Sequence, residues 1–363
     1  MMKNRPKRFL NRVSLSLLLL ISVSSFWAQS SPQPITPAIP IKAVVVTMFE
    51  LGADTKDRPG EFQYWVERFP LNDTLPFPTG YRSLRYNAEK QVLGVVTGIG
   101  TARAAATIMA LGSDSRFDFS KAYWLVAGIS GVDPLDASVG SAIWAEWIVD
   151  GDLSHEIDMR EAPPDWDTGY IPLRKSYPYE LPRQKDNEGV VYQLNSDLVN
   201  WAYDHTKEMV LKDNEILAKF RGLYKGFPNA QSPPKVLKGA QLAAMTYWHG
   251  ELMNNWANQW VSYWSEGQAN FMTSAMEETG TLQSLTFLSN AGKVDIDRVL
   301  VLRTASNYTM QYEGITAAES LSGEKLSAGG YTAFIPSLEA AFVVGSKVIN
   351  EIIDHWDVFE EKY

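Results

Sequence analysis

The chain of 363 residues contains no cysteine. Thiol nucleophiles, disulfide frameworks and thiolate metal sites are therefore excluded. Histidine is scarce as well: His155, His205, His249 and His355 are scattered, with no HExxH-type spacing. No metal site is expected from them. Positive charge is in deficit, with 33 Lys and Arg against 42 Asp and Glu and a formal net charge of -9. Lys3, Arg5, Lys7, Arg8 and Arg12 all fall at the amino terminus, so the rest of the chain is more acidic still. Such a surface repels phosphate backbones, and nucleic acid is not an expected partner. Past the amino terminus no stretch approaches the roughly 18 uninterrupted apolar residues of a membrane helix, which rules out a multi-span transporter.

What is present begins with a recognisable leader. The basic residues are followed by an apolar run, Val13–Ile21, then Val23, Phe26 and Trp27. This is the layout of a signal peptide over residues 1–28, with Ala28 as a cleavage point, although Phe26 stands where a small residue is preferred. The expectation is an exported protein, periplasmic or extracellular; an anchor formed by an uncleaved leader is the alternative. Residues 29–40, with Pro32, Pro34, Pro37 and Pro40, read as an extended tether. Residues 41–363 are then one large α/β domain, with no linker strong enough to divide it.

Within that domain the β-branched run Ile41–Thr47 predicts a strand, followed directly by Met48, Phe49 and Glu50. A short helix is expected over 62–69, and strands over 81–86 and 92–96. The strand ending at Thr97 runs into Gly98-Ile99-Gly100 and an alanine-rich helix, 101–111. Another strand, 123–127, leads to a second glycine turn, Gly128-Ile129-Ser130-Gly131, and 141–149 is a further strand. Strand, glycine turn, helix, strand is the pattern of an α/β sheet with its ligand at the strands' carboxyl ends. Residues 150–190 form an irregular excursion. Residues 240–264 are dense in aromatics, including Tyr247, Trp248, Trp256 and Trp260; most are expected in the core, with one or two left to stack on a flat base. The segment 273–286 reads as helical, 299–303 as a strand, and 338–353 as a terminal helix.

Four separated segments carry a family resemblance: Gly98–Ala106, Ala127–Gly131 with Val139-Gly140-Ser141, Ala275-Met276-Glu277-Glu278, and Arg303-Thr304-Ala305-Ser306-Asn307. Together, and in this order, they resemble the purine nucleoside permease family. The resemblance implies a nucleoside phosphorylase-like fold, three-layer α/β/α with a central mixed sheet. It implies a nucleoside-binding set of Gly128, Ser130, Met276, Glu277 and Asn307. A carboxylate such as Glu277 accepts hydrogen bonds from both ribose hydroxyls while Met276 packs under the sugar; Glu278 is its neighbour and rival. Gly98, Gly100 and Arg103 are the candidate phosphate ligands, with a plain helix-surface role as the alternative for Arg103.

Two positions depart from the phosphorylase pattern. Ser141 stands where Asp is common. Ser306-Asn307 replaces a Ser-Asp whose carboxylic acid protonates the departing purine; Asn307 donates and accepts on a base edge but is no general acid. Arg303 either orients that loop or is salt-bridged at the strand end. Glu50, at the end of the first strand, is a catalytic candidate beside Asn307, to activate water or touch the sugar; capping the next helix is the alternative.

Two functions follow from the resemblance. The first is a purine nucleoside binder contributing to uptake, which requires a separate membrane transport partner. The second is N-glycosidic cleavage by a nucleoside phosphorylase or nucleoside hydrolase. No cofactor is expected; phosphate is a co-substrate in the phosphorolytic version. Homo-oligomers are common among phosphorylase-like proteins and are an expectation here also.

Overall fold

The buried run Ala43–Thr47 (β1) is where the sheet's central region starts, because all five side chains are covered on both faces. The computed structural model describes residues 37–183, 189–326 and 332–363. The expected signal peptide and most of the tether lie outside them. Ala38–Tyr363 is one compact unit.

Nine further strands join β1 in one ten-stranded mixed sheet: Asp73–Leu75 (β2), Leu84–Asn87 (β3), Val92–Val96 (β4), Tyr123–Val132 (β5), Ala142–Asp150 (β6), Val191–Gln193 (β7), Val236–Ala243 (β8), Phe271–Ala275 (β9) and Val299–Tyr308 (β10). Their order is β7-β6-β8-β9-β5-β1-β4-β3-β2. β10 lies parallel to β5 and antiparallel to β6. Since β9 also pairs with β5, the strands β5, β10, β6, β8 and β9 close into a ring. Helices cover both faces, so the fold is three-layer α/β/α with a mixed central sheet, as the family resemblance implies.

The helices that matter for function are Gln63–Arg68 (α1), Thr101–Gly112 (α2), Ser196–Thr206 (α3), Glu215–Arg221 (α4), Glu251–Trp264 (α5), Glu278–Asn290 (α6) and Phe334–Asp354 (α7). The terminal helix α7 buries Leu338, Ala341, Val344, Val348 and Ile352, a stripe at helical spacing, against β5 and β10. Each of the Leu, Val and Ile side chains in it is worth about 1.5–3 kcal/mol when fully covered. α2 packs along α6, and the approach is close: a Cβ on Gly280 would collide with the Thr101 carbonyl. That contact sets two βα junctions side by side.

The structure corrects three local expectations. The expected second glycine turn, Gly128–Gly131, is not a turn; all four residues continue β5. Likewise β10 runs on through Thr304–Tyr308 instead of stopping at Arg303. Residues 273–275 belong to a strand, and the helix starts only at Glu278. In the first two cases small or polar residues suggested an end, and in all three, pairing with a neighbouring strand keeps the backbone extended. The excursion 150–190 carries a small antiparallel pair, Ser154–Glu156 with Tyr170–Pro172.

Candidate functional site

At the carboxyl ends of β1, β4, β5, β9 and β10 lies a cavity of about 400 Å³, inside the roughly 300–1,000 Å³ range of small-molecule sites. Each wall comes from a strand end. Gly98 and Gly100 have φ of +84° and +94°, a left-handed conformation that only glycine adopts without strain, and this turn opens α2. The Gly100 N–H donates to Glu277 Oε1 at 3.0 Å. Thr101 Oγ donates to the Met276 carbonyl at 3.0 Å. The glycine turn is thus fastened to the β9–α6 junction.

Behind the cavity Arg303 sits fully buried among three carboxylates. Its Nη2 donates to Glu277 Oε2 at 2.9 Å, its Nε donates to Glu278 Oε1, and its Nη1 donates to the Ile129 carbonyl at 2.9 Å. Nη1 also lies 3.9 Å from Glu61 Oε1. Arg303 therefore holds both the acidic cluster and β5; it is salt-bridged, as one of the two alternatives had it, but in the middle of β10 and not at a strand end. Gly128 makes this possible: a Cβ there would collide with Met48, Glu61 and Arg303. Glu278 is completely buried and takes no part in the cavity wall, whereas Glu277 lines it.

Glu61 is the residue the sequence did not single out. It is buried, lines the cavity, and accepts from the Met48 and Ile129 N–H groups, each at 2.8 Å. Burial pushes its carboxyl up to about 8 from an ordinary 4.5; the Glu277 charge adds to this, while Arg303 and the two backbone donors oppose it. Burial raises Glu277 in the same way, with Arg303 opposing and Glu278 adding. Arg303 resists the downward pull of burial because Glu278, Glu277 and Glu61 together favour its charged form. Three carboxylates facing one guanidinium leave an excess of negative charge, and a shared proton relieves it.

This proton has a stability signature. The folded chain holds it more tightly than the unfolded chain, so its contribution is complete below 4.5 and is lost as pH rises through about 8. The melting temperature is expected to fall across that window more steeply in the native protein than in Glu61→Gln, whose amide does not titrate. Equal slopes by scanning calorimetry would place the proton elsewhere.

Glu50 has a different environment. Its carboxylate accepts from the N–H groups of Leu51 (2.8 Å), Gly60, Phe62 (3.0 Å) and Gln63 (2.6 Å), the last two at the start of α1. It closes the loop that delivers Glu61 and caps the helix, and it is absent from the cavity wall. Arg103 is exposed, folds back so that Nη1 donates to the Ile99 carbonyl at 3.0 Å, and is also absent from that wall.

One wall of the cavity is built by β5 and β10. A bulge at Ser306 lets both Ser306 and Asn307 reach the cavity. Asn307 Nδ2 donates to the Tyr308 carbonyl at 3.1 Å and to Tyr247 Oη at 2.9 Å. Its Oδ1 lies 2.9 Å from the Ser306 hydroxyl. Ser130 Oγ is buried on the same wall with no hydrogen-bond partner among the described residues. Ser141, the departure from Asp, is structural: its Oγ accepts from the Lys235 N–H at 3.1 Å, and its carbonyl accepts from the Ala305 N–H at 2.8 Å beside the bulge. Tyr247 belongs to the aromatic-rich segment, where the sequence offered a signal without a choice among residues. Among the described residues no cluster of three metal-ligating side chains exists.

The fold and cavity define the class first. The architecture is that of the nucleoside hydrolases and phosphorylases. A mutant Helicobacter pylori MTAN with 5'-methylthioadenosine in its active site matches with a TM-score of 0.50 at 12% identity, over 86% of this chain and 99% of that one. A Streptococcus pneumoniae MTA/SAH nucleosidase with 8-aminoadenine gives 0.50 and 12%, over 85% and 99%. Residues 40–363 match the purine nucleoside permease (NUP) family, and the chain belongs to it. It is 30% identical over 336 residues to a purine nucleoside permease of Candida albicans, covering 89% of this chain and 78% of the relative. It is 29% identical over 287 residues to a probable purine nucleoside permease of Schizosaccharomyces pombe, covering 76% and 80%.

These findings correct the uptake reading. The two solved structures named above are nucleosidases and not transport proteins, so the reading as a binder that serves a membrane transport partner is set aside and the alternative, N-glycosidic cleavage, is taken up below. The expected periplasmic or extracellular location and its anchored variant rested on the leader, which lies outside the described residues, and are not carried further. No helix among the described residues is long and apolar enough to cross a membrane.

Proposed function

We propose that the chain is a purine nucleosidase that hydrolyses the N-glycosidic bond. The observation that carries this reading is the placement of Glu61, Met276, Glu277 and Asn307 around one cavity. Ribose lies over Met276 with its hydroxyls on Glu277, and the purine edge faces Ser130 and Asn307. Water sits beside Glu61, which in its ionised form takes the water proton as oxygen bonds to C1′ and the C1′–N9 bond breaks. The bond pair leaves with the purine, which takes up the proton that Glu61 removed from the water, and the negative cluster stabilises the oxocarbenium-like sugar. That the relatives in Candida albicans and Schizosaccharomyces pombe are named for purine nucleosides supports the substrate class.

Water is favoured over phosphate on electrostatic grounds. A phosphate anion entering this cavity meets Glu61 and Glu277. The Gly100 N–H, expected to hold phosphate, is spent on Glu277, and Arg103 points elsewhere. Of the two cations on the wall, Arg303 is saturated by carboxylates and Arg58 is exposed and lies over the Phe334 ring.

The test is to incubate the purified protein with adenosine, inosine and guanosine, with and without phosphate, and to measure free base and ribose. Release without phosphate is expected; release only with phosphate replaces hydrolysis by phosphorolysis, and no release under either condition rejects cleavage. Glu277→Ala is expected to weaken nucleoside binding by roughly ten- to a hundredfold, the worth of hydrogen bonds to a charged group. Unchanged affinity by calorimetry would remove Glu277 from the ribose site.

A further inference from the structure

Glu278 is the carboxylate of the acidic cluster that the proposed chemistry leaves without a task. It is completely buried and absent from the cavity wall. A buried carboxylate is strongly destabilising unless it is paired and hydrogen-bonded, and both of its oxygens are engaged. Oε1 accepts from Arg303 Nε and also meets Nη2, while Oε2 accepts from the Glu277 N–H at 3.3 Å. Glu277 shares the same guanidinium, through Nη2 at 2.9 Å. Glu61 only lies 3.9 Å from Nη1, without a hydrogen bond to it. The three carboxylates therefore draw on one cation in the order Glu278, Glu277, Glu61.

With Arg303, Glu277 and Glu278 ionised, ionising Glu61 takes the cluster from one net negative charge to two. With Glu278 uncharged the same step runs from neutral to one. Like charges away from water oppose each other, so the first step needs the higher pH. The surrounding elements supply little else of charge. β5, β9 and the rest of α6 carry no charged side chain. Arg103 of α2 is exposed and folded back on the Ile99 carbonyl, and Arg58 is exposed over the Phe334 ring. Asp150, at the end of β6, accepts from the Asp152 and Leu153 N–H groups and lines a separate hollow with Asp152 and Thr279. Further back on β6, Glu146 pairs with Lys238. Glu50, in the loop that delivers Glu61, faces backbone amides.

We infer that Glu278 is a positioning residue for the general base: by claiming the guanidinium it keeps the cluster's proton on Glu61, and so sets the pH above which Glu61 can accept a proton from water. The inference rests on the nucleosidase reading for its effect on rate, but not for the placement of the proton. Below that pH Glu61 already carries a proton and takes no second one. Above it the carboxylate is free to act. Glu278 works through Arg303 without touching substrate. Removing its charge therefore raises the share of active enzyme at low pH, a sign that a residue serving only the fold does not produce.

The experiment compares the full chain with Glu278→Gln, which removes the charge and keeps the length, and with Glu278→Asp, which keeps the charge. Base release is followed against pH at saturating substrate, with whichever of adenosine, inosine and guanosine the native protein cleaves. The measured quantity is the rate about two pH units below the native midpoint divided by the plateau rate, so that a general loss of activity cancels. In Glu278→Gln this ratio is expected to rise about tenfold, as for a midpoint about one pH unit lower, the order of effect of a neighbouring charge. Glu278→Asp is expected to keep the native ratio. A native ratio in Glu278→Gln, or an equal rise in both variants, overturns the inference. Melting gives a readout independent of cleavage. The stability lost between 4.5 and about 8 in the native protein is expected to be lost by about one pH unit lower in Glu278→Gln, because the folded chain releases the proton sooner; an unchanged window overturns the inference. If the native protein releases no base but the window moves, the cleavage reading fails and the proton placement stands. Should Glu278→Gln not fold, carboxyl 13C NMR decides: the glutamate carbon that titrates near 8 in the native chain is expected to vanish in Glu61→Gln, and its persistence there overturns the inference.

Discussion

Glu61→Gln is expected to slow base release by about a thousandfold, the middle of the range for losing a general base, while nucleoside affinity stays within an order of magnitude. Gln keeps the side-chain length and one carbonyl oxygen, so at least one of the Met48 and Ile129 N–H groups retains its acceptor. What disappears is the capacity to take a proton. The native rate should also rise with pH and level off above about 8, since only ionised Glu61 can act and its carboxyl is held near that value. Single-turnover measurement of ribose release separates this from slow product departure. A rate within tenfold of native, or a pH profile that falls towards 8, would remove Glu61 from the chemical step.

The second large effect is on folding. Arg303→Met is expected to cost about 3–5 kcal/mol, the usual penalty for stripping one partner from a buried ionic cluster, out of a total stability of about 5–15 kcal/mol. Met fills much of the space but removes the guanidinium that Glu61, Glu277 and Glu278 face. Because protonation discharges those groups, the loss should shrink as pH is lowered, opposite to what a simple packing defect would show. Arg303→Lys should fall between the two. A single ammonium cannot reproduce the fork that reaches Glu278 from Nε, Glu277 from Nη2 and the Ile129 carbonyl from Nη1. Chemical denaturation at several pH values measures this; a pH-independent deficit would mean the cluster is not ionic in the way described.

Much of the fold was legible because its strands are buried on both faces and so appear as apolar runs, as with Ala43–Thr47 and Val92–Val96. The strand ends were not. Gly128–Gly131 reads as a turn locally, and only the pairing of β5 with β10 and β9 keeps it extended. Glu277 and Asn307, singled out from their motifs, both line the cavity. Glu61 could not be singled out, since the choice between it and Glu50 depends on a loop path that the chain's local propensities do not encode. Glu50 lies directly after β1 and looks better placed, but its carboxylate is turned inward to four backbone amides; the residue it thereby positions, eleven further on, is the one that faces the cavity. The partner of Asn307 was hidden for a related reason: the segment 240–264 holds many aromatics, and only the three-dimensional loop closure distinguishes Tyr247 from the buried tryptophans around it.

The hydrogen bond from Gly100 to Glu277 makes one carboxylate serve as a clasp between two separate βα junctions and as the proposed seat of the sugar. Occupancy and cohesion are then coupled, because a sugar that draws on the same oxygens shares their lone pairs with the Gly100 N–H. Selection on substrate recognition at Glu277 is for this reason also selection on the mechanical integrity of the sheet's carboxyl edge, and a drift in specificity there has to begin with a substitution elsewhere that secures the α2–α6 contact first.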